Sequence, residues 1–135
     1  MHTLDQLKAY EKEFTDKGYF VLDLNNLDYI EEASALLKQH LQKVTQNSDI
    51  TLYNYHQFFE DNDKHYEIQF QMLKFFREQE FAQKIIQANI DVYQFLLGPD
   101  LDVQREPYLR ITRPFKPKDN IGFHRDTFYG TGPGE

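Results

Sequence analysis

An imidazole and a carboxylate stand one residue apart near the end of the sequence, at His124 and Asp126. The run from Ile121 to Asp126 is typical of a strand, in which side chains two positions apart point to the same face. The two groups could therefore bind one metal ion. They are two of the three ligands of the facial triad that holds non-haem iron(II) and leaves positions open for a cosubstrate and dioxygen. A His-x-Asp triplet is weak evidence by itself, since a chain with five histidines and 22 acidic residues produces such triplets by chance.

No obvious third ligand accompanies this pair. The other histidines lie upstream in segments with helical patterns: His2, His40, His56 and His65. The sequence contains no cysteine, which excludes a disulfide framework, a thiolate zinc site and a cysteine nucleophile. Any metal would have to be bound by nitrogen and oxygen.

Charge is distributed unevenly along the chain. The net charge of -7 argues against a nucleic-acid-binding surface spread over the whole molecule. Between Arg105 and Arg125, however, six basic residues stand against two acidic ones, a local charge of +4 that favours small anionic ligands. We expect a cytoplasmic protein that does not enter the membrane, because no apolar run reaches the length of a membrane span and the opening residues do not resemble a signal peptide.

The pattern of residues 1–98 predicts a mostly helical region. Thr3 and Gln6 form a capping-box pattern, and apolar residues then recur at helical spacing as far as Gly18, a typical C-terminal stop. A second helix is predicted to begin near Asp28 and to fade after Val44.

Two further helices are predicted before Gly98, after an aromatic segment, 51–62, that predicts an ordered loop or a short helix. Their apolar stripes are Tyr66, Phe70 and Leu73 for one helix, and Phe81, Ile85, Ala88, Val92 and Phe95 for the other.

Runs typical of β-strands occur once early in the chain and repeatedly after Gly98. The predicted strands are residues 19–23, 101–103, 108–112 and 121–126. We therefore divide the sequence into a helical region, 1–98, and a β region, 99–135, of what we expect to be one incomplete domain.

Three stretches of this sequence resemble the phytanoyl-CoA dioxygenase-like family of iron(II)- and 2-oxoglutarate-dependent oxygenases. They are GFHRDTFYG at 122–130, YLRITRP at 108–114 with the Lys/Pro loop after it, and a helix ending in Lys-Gly-Tyr followed by FVLDL. The resemblance implies an α+β fold, in which a helical N-terminal region packs on the first strands of a double-stranded β-helix, or jelly roll. His124 and Asp126 match the first ligand pair of the family.

The chemistry that the resemblance implies is an oxidation. A small molecule would be hydroxylated by dioxygen while 2-oxoglutarate is converted to succinate and carbon dioxide. The basic cluster between Arg105 and Arg125 favours an anionic substrate. Related halogenases have Ala or Gly at the position of Asp126, so a carboxylate here favours hydroxylation or desaturation. The residues predicted to hold 2-oxoglutarate are Tyr108, Arg110, Arg113, Arg125 and Thr127, and those predicted to contact substrate are Phe128 and Tyr129. Alternation along 108–113 leaves open which side chains of that segment face the pocket.

The family also requires a second histidine and a basic residue downstream of the first pair. The sequence ends nine residues after Asp126 and contains neither. We therefore expect a part of a longer enzyme, inactive alone, or a catalytically dead remnant of the same fold. Two alternatives stay open: a non-catalytic helical interaction module that self-associates through open strand edges, and a cupin-type metal enzyme, which the helix-rich first half disfavours.

Overall fold

A computed structural model of the chain describes residues 1–103 and 107–122, and all regular structure in these two ranges is helical. The elements are α1 (Leu4–Lys17), α2 (Asp28–Thr45), α3 (Asn62–Glu78), α4 (Phe81–Ala88) and α5 (Ile90–Leu97), with 3₁₀ turns at Tyr55–Gln57 and Pro117–Asp119. No helix of the described ranges is both long enough and apolar enough to cross a membrane.

The predicted α+β class, with the first strands of a double-stranded β-helix, is wrong for the described residues, which contain no strand. The segments 19–23, 101–103 and 108–112 were predicted as strands and form none. Of the fourth predicted strand, only Ile121 and Gly122 are described, and neither is in a strand, while 123–126 lie outside the described residues.

The reason is that extended backbone becomes a strand only where a partner segment completes the ladder of hydrogen bonds. In these segments side chains take the partner's place. The amide of Ile111 donates to Gln69 Oε1 at 3.2 Å and that of Arg113 to Asp119 Oδ2 at 2.8 Å. In the early segment, the amide of Asp23 donates to the Tyr10 hydroxyl at 3.3 Å.

Helices α1 and α2 confirm the sequence predictions because their boundaries are set by local interactions. The Thr3 side chain accepts from the Gln6 amide and the Gln6 side chain accepts from the Thr3 amide, which completes the capping box of α1. Gly18 ends this helix in the left-handed conformation, at φ +80°, which a residue with a Cβ adopts only under strain. Helix α2 begins at Asp28, as predicted.

Helix α3 was predicted, but its buried face was not. The predicted stripe includes Tyr66 and Phe70, whose exposed fractions are 45% and 69%. The face that is buried instead carries His65, Ile68 and Met72. Helix α3 carries apolar residues on more than one face, so the periodicity of its sequence does not show which face packs against the core.

The predicted helix from Phe81 to Phe95 is divided at Asn89 into α4 and α5. Asn89 is fully buried, and its side-chain amide donates to the Ile85 carbonyl at 2.8 Å while its Oδ1 accepts from the Asn25 amide at 2.8 Å. Asparagine side chains compete in this way with the helix for backbone partners.

The chain divides into two compact units. The first unit comprises 1–33 and 80–105; α1 contacts α5 there, and the amide of His2 donates to Asp91 at 2.8 Å. The second unit comprises 34–79 and 106–135. Its core consists of Leu41, Ile50, Tyr55, Ile68 and Met72, with Leu109 and Ile111 among the residues packed against them.

Asn89→Ala should lower the free energy of unfolding by about 1 to 3 kcal/mol, because the part-buried Asn25 amide and the Ile85 carbonyl both lose their bond to the buried Asn89 side chain. Asn25→Ala is the matched control: its side chain is exposed and its backbone amide keeps the bond to Asn89, so the loss should be smaller. Urea unfolding followed by far-UV circular dichroism measures both. Equal losses of unfolding free energy in the two variants would show that the Asn89 acceptor does not stabilise the protein more than the exposed Asn25 side chain does.

Candidate functional site

Most of the predicted site lies outside the described residues. This holds for His124, Arg125, Asp126, Thr127, Phe128 and Tyr129. The described part includes three of the residues predicted to hold 2-oxoglutarate, namely Tyr108, Arg110 and Arg113. Within residues 1–103 and 107–122, no group of three or more histidine, aspartate or glutamate side chains is arranged to hold a metal ion.

The segment 107–113 has two different faces although it forms no strand. Leu109 and Ile111 pack against the core of the second unit and Arg113 is buried, whereas Tyr108 and Arg110 are exposed. The three predicted residues are therefore not brought together. The exposed ring of Tyr108 lies 5.6 Å from the guanidinium of Arg77, in a cation–π contact.

Arg113 forms a two-pronged ion pair with Asp119. Its Nε donates to Asp119 Oδ2 at 2.8 Å and its Nη2 to Oδ1 at 2.9 Å, and the Arg113 amide also donates to Oδ2. Both side chains are buried, with exposed fractions of 4% and 5% for the two residues. The 3₁₀ turn at Pro117–Asp119 brings the carboxylate back to the arginine, so the pair closes the loop between them.

The remaining donors of Arg113 are bound to the segment that leads into α3. Nη1 lies within hydrogen-bonding distance of the carbonyl oxygens of Phe59, Glu60 and Asp61, at 3.2, 3.0 and 3.4 Å, and Nη2 donates to Asn62 Oδ1 at 2.8 Å. A guanidinium has five N–H donors. All sides of this one are occupied by protein groups, which gives Arg113 a structural role in the described part of the chain.

Two further buried side chains, Tyr55 and His65, lie next to the Arg113–Asp119 ion pair. Nδ1 of His65 lies 3.0 Å from the Tyr55 hydroxyl, and Nε2 of His65 lies 3.6 Å from Asp119 Oδ2. Within the described residues, Nε2 is buried without a hydrogen-bond partner. We call Tyr55, His65, Arg113 and Asp119 the buried polar cluster. The distances suit a hydroxyl that donates to Nδ1 and a proton on Nε2 that faces the carboxylate.

The charge state of the cluster follows from burial and from the ion pair. Hydrogen bonds from Arg113 lower the pKa of Asp119 to about 2, and the bond to Asp119 raises the pKa of Arg113. Burial, with the nearby Arg113 charge, lowers the pKa of His65, and burial raises the pKa of Tyr55 to about 12. At neutral pH the cluster therefore holds one cation, one anion and two neutral rings.

The buried polar cluster has the residue types of a proton relay, but a substrate cannot reach it. His65 is fully buried, so its imidazole does not reach a substrate from this position. The cluster fixes the segment 107–122 to the helices of the second unit. The sequence places His65 in a segment with a helical pattern and does not indicate Tyr55 or Asp119 as its partners. The signal that could have found the pair is an Arg and an Asp on either side of a short loop with two prolines, Pro114 and Pro117.

A cavity of about 290 Å³ lies beside the cluster in the second unit. Its lining is mostly apolar: Leu37, Leu41, Leu52, Tyr55, Met72, Leu109 and Ile111, with Arg110 and Thr112 as the polar members. Arg110 is thus a predicted site residue that borders this cavity. A broader depression of about 600 Å³, on which Arg113 and Lys116 lie, has a more polar lining.

No protein-family model, no curated protein and no solved structure matches this chain. Membership of the oxygenase family therefore stays a proposal carried by the motif residues.

Asp119→Ala should lower the free energy of unfolding by about 3 to 5 kcal/mol, because it leaves the Arg113 charge buried without a counter-ion. Glu60→Ala is the control, since the ion pair of Glu60 with Lys116 is largely exposed and its loss should not be measurable. Urea unfolding of both variants measures the difference. A small loss in Asp119→Ala would show that the buried pair does not hold the segment.

Acid should destabilise the protein in two steps. The folded pKa of His65 is below 6.5, so below that pH the unfolded chain binds a proton that the folded chain does not, and the free energy of unfolding falls. The folded pKa of Asp119 is lowered from 3.8 to about 2, so its stabilising effect is complete above pH 3.8 and is lost as the pH falls towards 2.

Unfolding measured against pH tests the first step. His65→Gln, which can keep a bond to Tyr55, should flatten the decline just below pH 6.5, whereas His56→Gln, at an exposed position, should leave it unchanged. A decline of the same steepness in His65→Gln would contradict this assignment. His40 contributes in the same direction, because burial and Lys43 lower its pKa, so a weaker decline should remain.

Proposed function

We propose that this chain supplies the first ligand pair, His124 and Asp126, of a non-haem iron(II), 2-oxoglutarate-dependent oxygenase of the hydroxylase type. The observation that carries the proposal is the His-x-Asp spacing inside GFHRDTFYG, after YLRITRP and a Lys/Pro loop. An imidazole nitrogen and a carboxylate oxygen are donors that ferrous iron accepts, and one intervening residue lets both reach the same ion from a single extended segment.

When bound, iron(II) with 2-oxoglutarate would supply the activation of dioxygen and the oxidising power for hydroxylation. The chain's own groups would hold and orient the participants. His124 would bind as a neutral imidazole and Asp126 as a carboxylate, which offsets part of the metal charge. Phe128 and Tyr129, two and three residues after Asp126, are the proposed substrate contacts.

The contacts of the described residues narrow the choice of an arginine for 2-oxoglutarate. Arg113 is bound on all sides by protein groups, and Arg110 borders an apolar cavity that suits a dicarboxylate poorly. In an extended segment Arg125 and Thr127 would project from the face opposite His124 and Asp126, which disfavours them as the main contact. We therefore propose that the cosubstrate carboxylate is held by the basic residue that the resembling family carries downstream of the pair.

The buried polar cluster supports the proposal by fixing the chain close to the ligand pair. Asp119 is held by Arg113 five residues before His124. A ligand pair that begins close to a fixed point loses less conformational entropy on binding a metal than one on a free segment. The basic cluster between Arg105 and Arg125 favours an anionic small molecule as substrate. The proposal includes a cytoplasmic setting, where a reducing environment favours the ferrous state.

A second candidate function is a helical interaction module. The exposed aromatic side chains of α3, Phe70 and Tyr66, favour it, because exposed aromatic side chains are common at protein–protein contacts. This module would not need the His-x-Asp pair, so a metal titration separates the two candidates.

Anaerobic titration of the chain with iron(II) and 2-oxoglutarate tests the proposal. Chelation of 2-oxoglutarate to bound iron(II) should give a visible charge-transfer band, and His124→Ala or Asp126→Ala should weaken iron binding at least about tenfold. His56→Ala, an exposed histidine outside the pair, is the control and should bind as the parent does. Iron binding that is equal in all four proteins, or absent from the parent chain, would refute the proposed ligand pair.

A further inference from the structure

We propose that the second unit binds a small amphipathic monocarboxylate, with its apolar body in the 290 Å³ cavity and its carboxylate on Arg110. This proposal does not depend on the proposed metal pair.

The size of the cavity limits the ligand. Its volume of 290 Å³ is close to the lower end of the range for small-molecule pockets. At roughly 30 Å³ for each non-hydrogen atom, similar to the share of a water molecule in the liquid, it accommodates about ten such atoms. A nucleotide or a coenzyme is therefore too large to enter it whole.

The walls of the cavity require an apolar ligand body. Leu41 and Met72 are almost fully buried, at 2% and 1% exposed, and the Tyr55 hydroxyl is hydrogen-bonded to His65. These side chains form a preorganised surface, in which a methionine can adapt to ligand shape. Leu52 is 41% exposed and lies where the cavity meets solvent. An aliphatic chain or a small ring gains free energy by leaving water for such a lining.

The polar members of the lining determine the charge of the ligand. Arg110 and Thr112 are exposed residues on the outward face of the segment 107–113 and also border the cavity. Within residues 1–103 and 107–122, the Arg110 guanidinium takes part in no ion pair, whereas Arg113, three residues later, is fully engaged with Asp119. A guanidinium fork matches a carboxylate, and a hydroxyl beside it can donate to the same group.

These features together favour a monocarboxylate over other small molecules. An amine would be repelled by Arg110, and an uncharged apolar molecule would gain no binding energy from the exposed guanidinium. A dicarboxylate would bring a second charge into the apolar lining, where desolvation is costly. Octanoate and 2-oxoglutarate each contain ten non-hydrogen atoms, so they compare the two classes at equal size.

Isothermal titration calorimetry of the full chain with octanoate, in the presence of EDTA, tests the proposal without any contribution from a metal. Octanoate should bind, Arg110→Gln should weaken binding at least about tenfold, and Arg110→Lys should recover much of the loss. Lys118→Gln is the charge-matched control, because Lys118 is exposed in the same basic region but does not line the cavity. Octanol, which has the same chain without the charge, should bind the parent more weakly than octanoate.

A second variant tests the cavity itself. Leu52→Trp places a larger side chain at the solvent-exposed part of the lining, so it should block octanoate while circular dichroism shows the helical content of the parent. Equal octanoate binding in the parent and in Arg110→Gln would overturn the role of Arg110. Unchanged binding in Leu52→Trp, displacement of octanoate by 2-oxoglutarate, or no octanoate binding at all would overturn the proposed site. Since no metal is present, none of these results depends on His124 or Asp126.

Discussion

The ion pair between Arg113 and Asp119 is the contact on which the rest of the second unit depends. Burying a guanidinium is costly unless its donors all find partners. Here the carboxylate takes two donors, and the carbonyl groups before α3 with Asn62 take the others. One side chain thereby joins a loop, the start of a helix and the segment 107–113. His65 adds a neutral ring beside Asp119, so the cluster keeps a single balanced pair of charges at neutral pH.

The same pair decides what the neighbouring residues can do. Arg113 and Arg110 are three positions apart in extended backbone, so they point to opposite faces. Arg113 anchors the inward face of this segment, and Leu109 and Ile111 on the same face pack against the core. Arg110 therefore lies on the outer face, beside the cavity. Two arginines that look equivalent in the sequence therefore have different roles, one structural and one available to a ligand. The structural arginine holds the other in place.

The sequence predicted features that depend on neighbours along the chain and missed those that depend on distant partners. Thr3 with Gln6 and Gly18 fix the ends of α1 by local bonds, so this helix could be read directly. The segment 108–112 has the alternation of a strand, and its inward and outward faces are real, but Gln69 and Asp119 replace the strand that would have paired with it. Of the predicted site, the structure describes Tyr108, Arg110 and Arg113. Alternation already separates Arg113 from the other two, but it could not show which of the two faces packs against the core.

The buried cluster also bears on the chemistry proposed downstream of it. A bidentate cosubstrate and dioxygen need open positions on a metal, so few ligands can come from the protein, and each must be well oriented. Fixing the backbone of a residue costs roughly 1 to 2 kcal/mol, and a ligand pair on a long free segment bears that cost for each residue it orders. Asp119, held by Arg113, is a fixed point five residues before His124. If His124 and Asp126 bind iron as proposed, loss of the Arg113–Asp119 ion pair should weaken iron binding as well as the fold, because more backbone would have to be ordered when the metal binds.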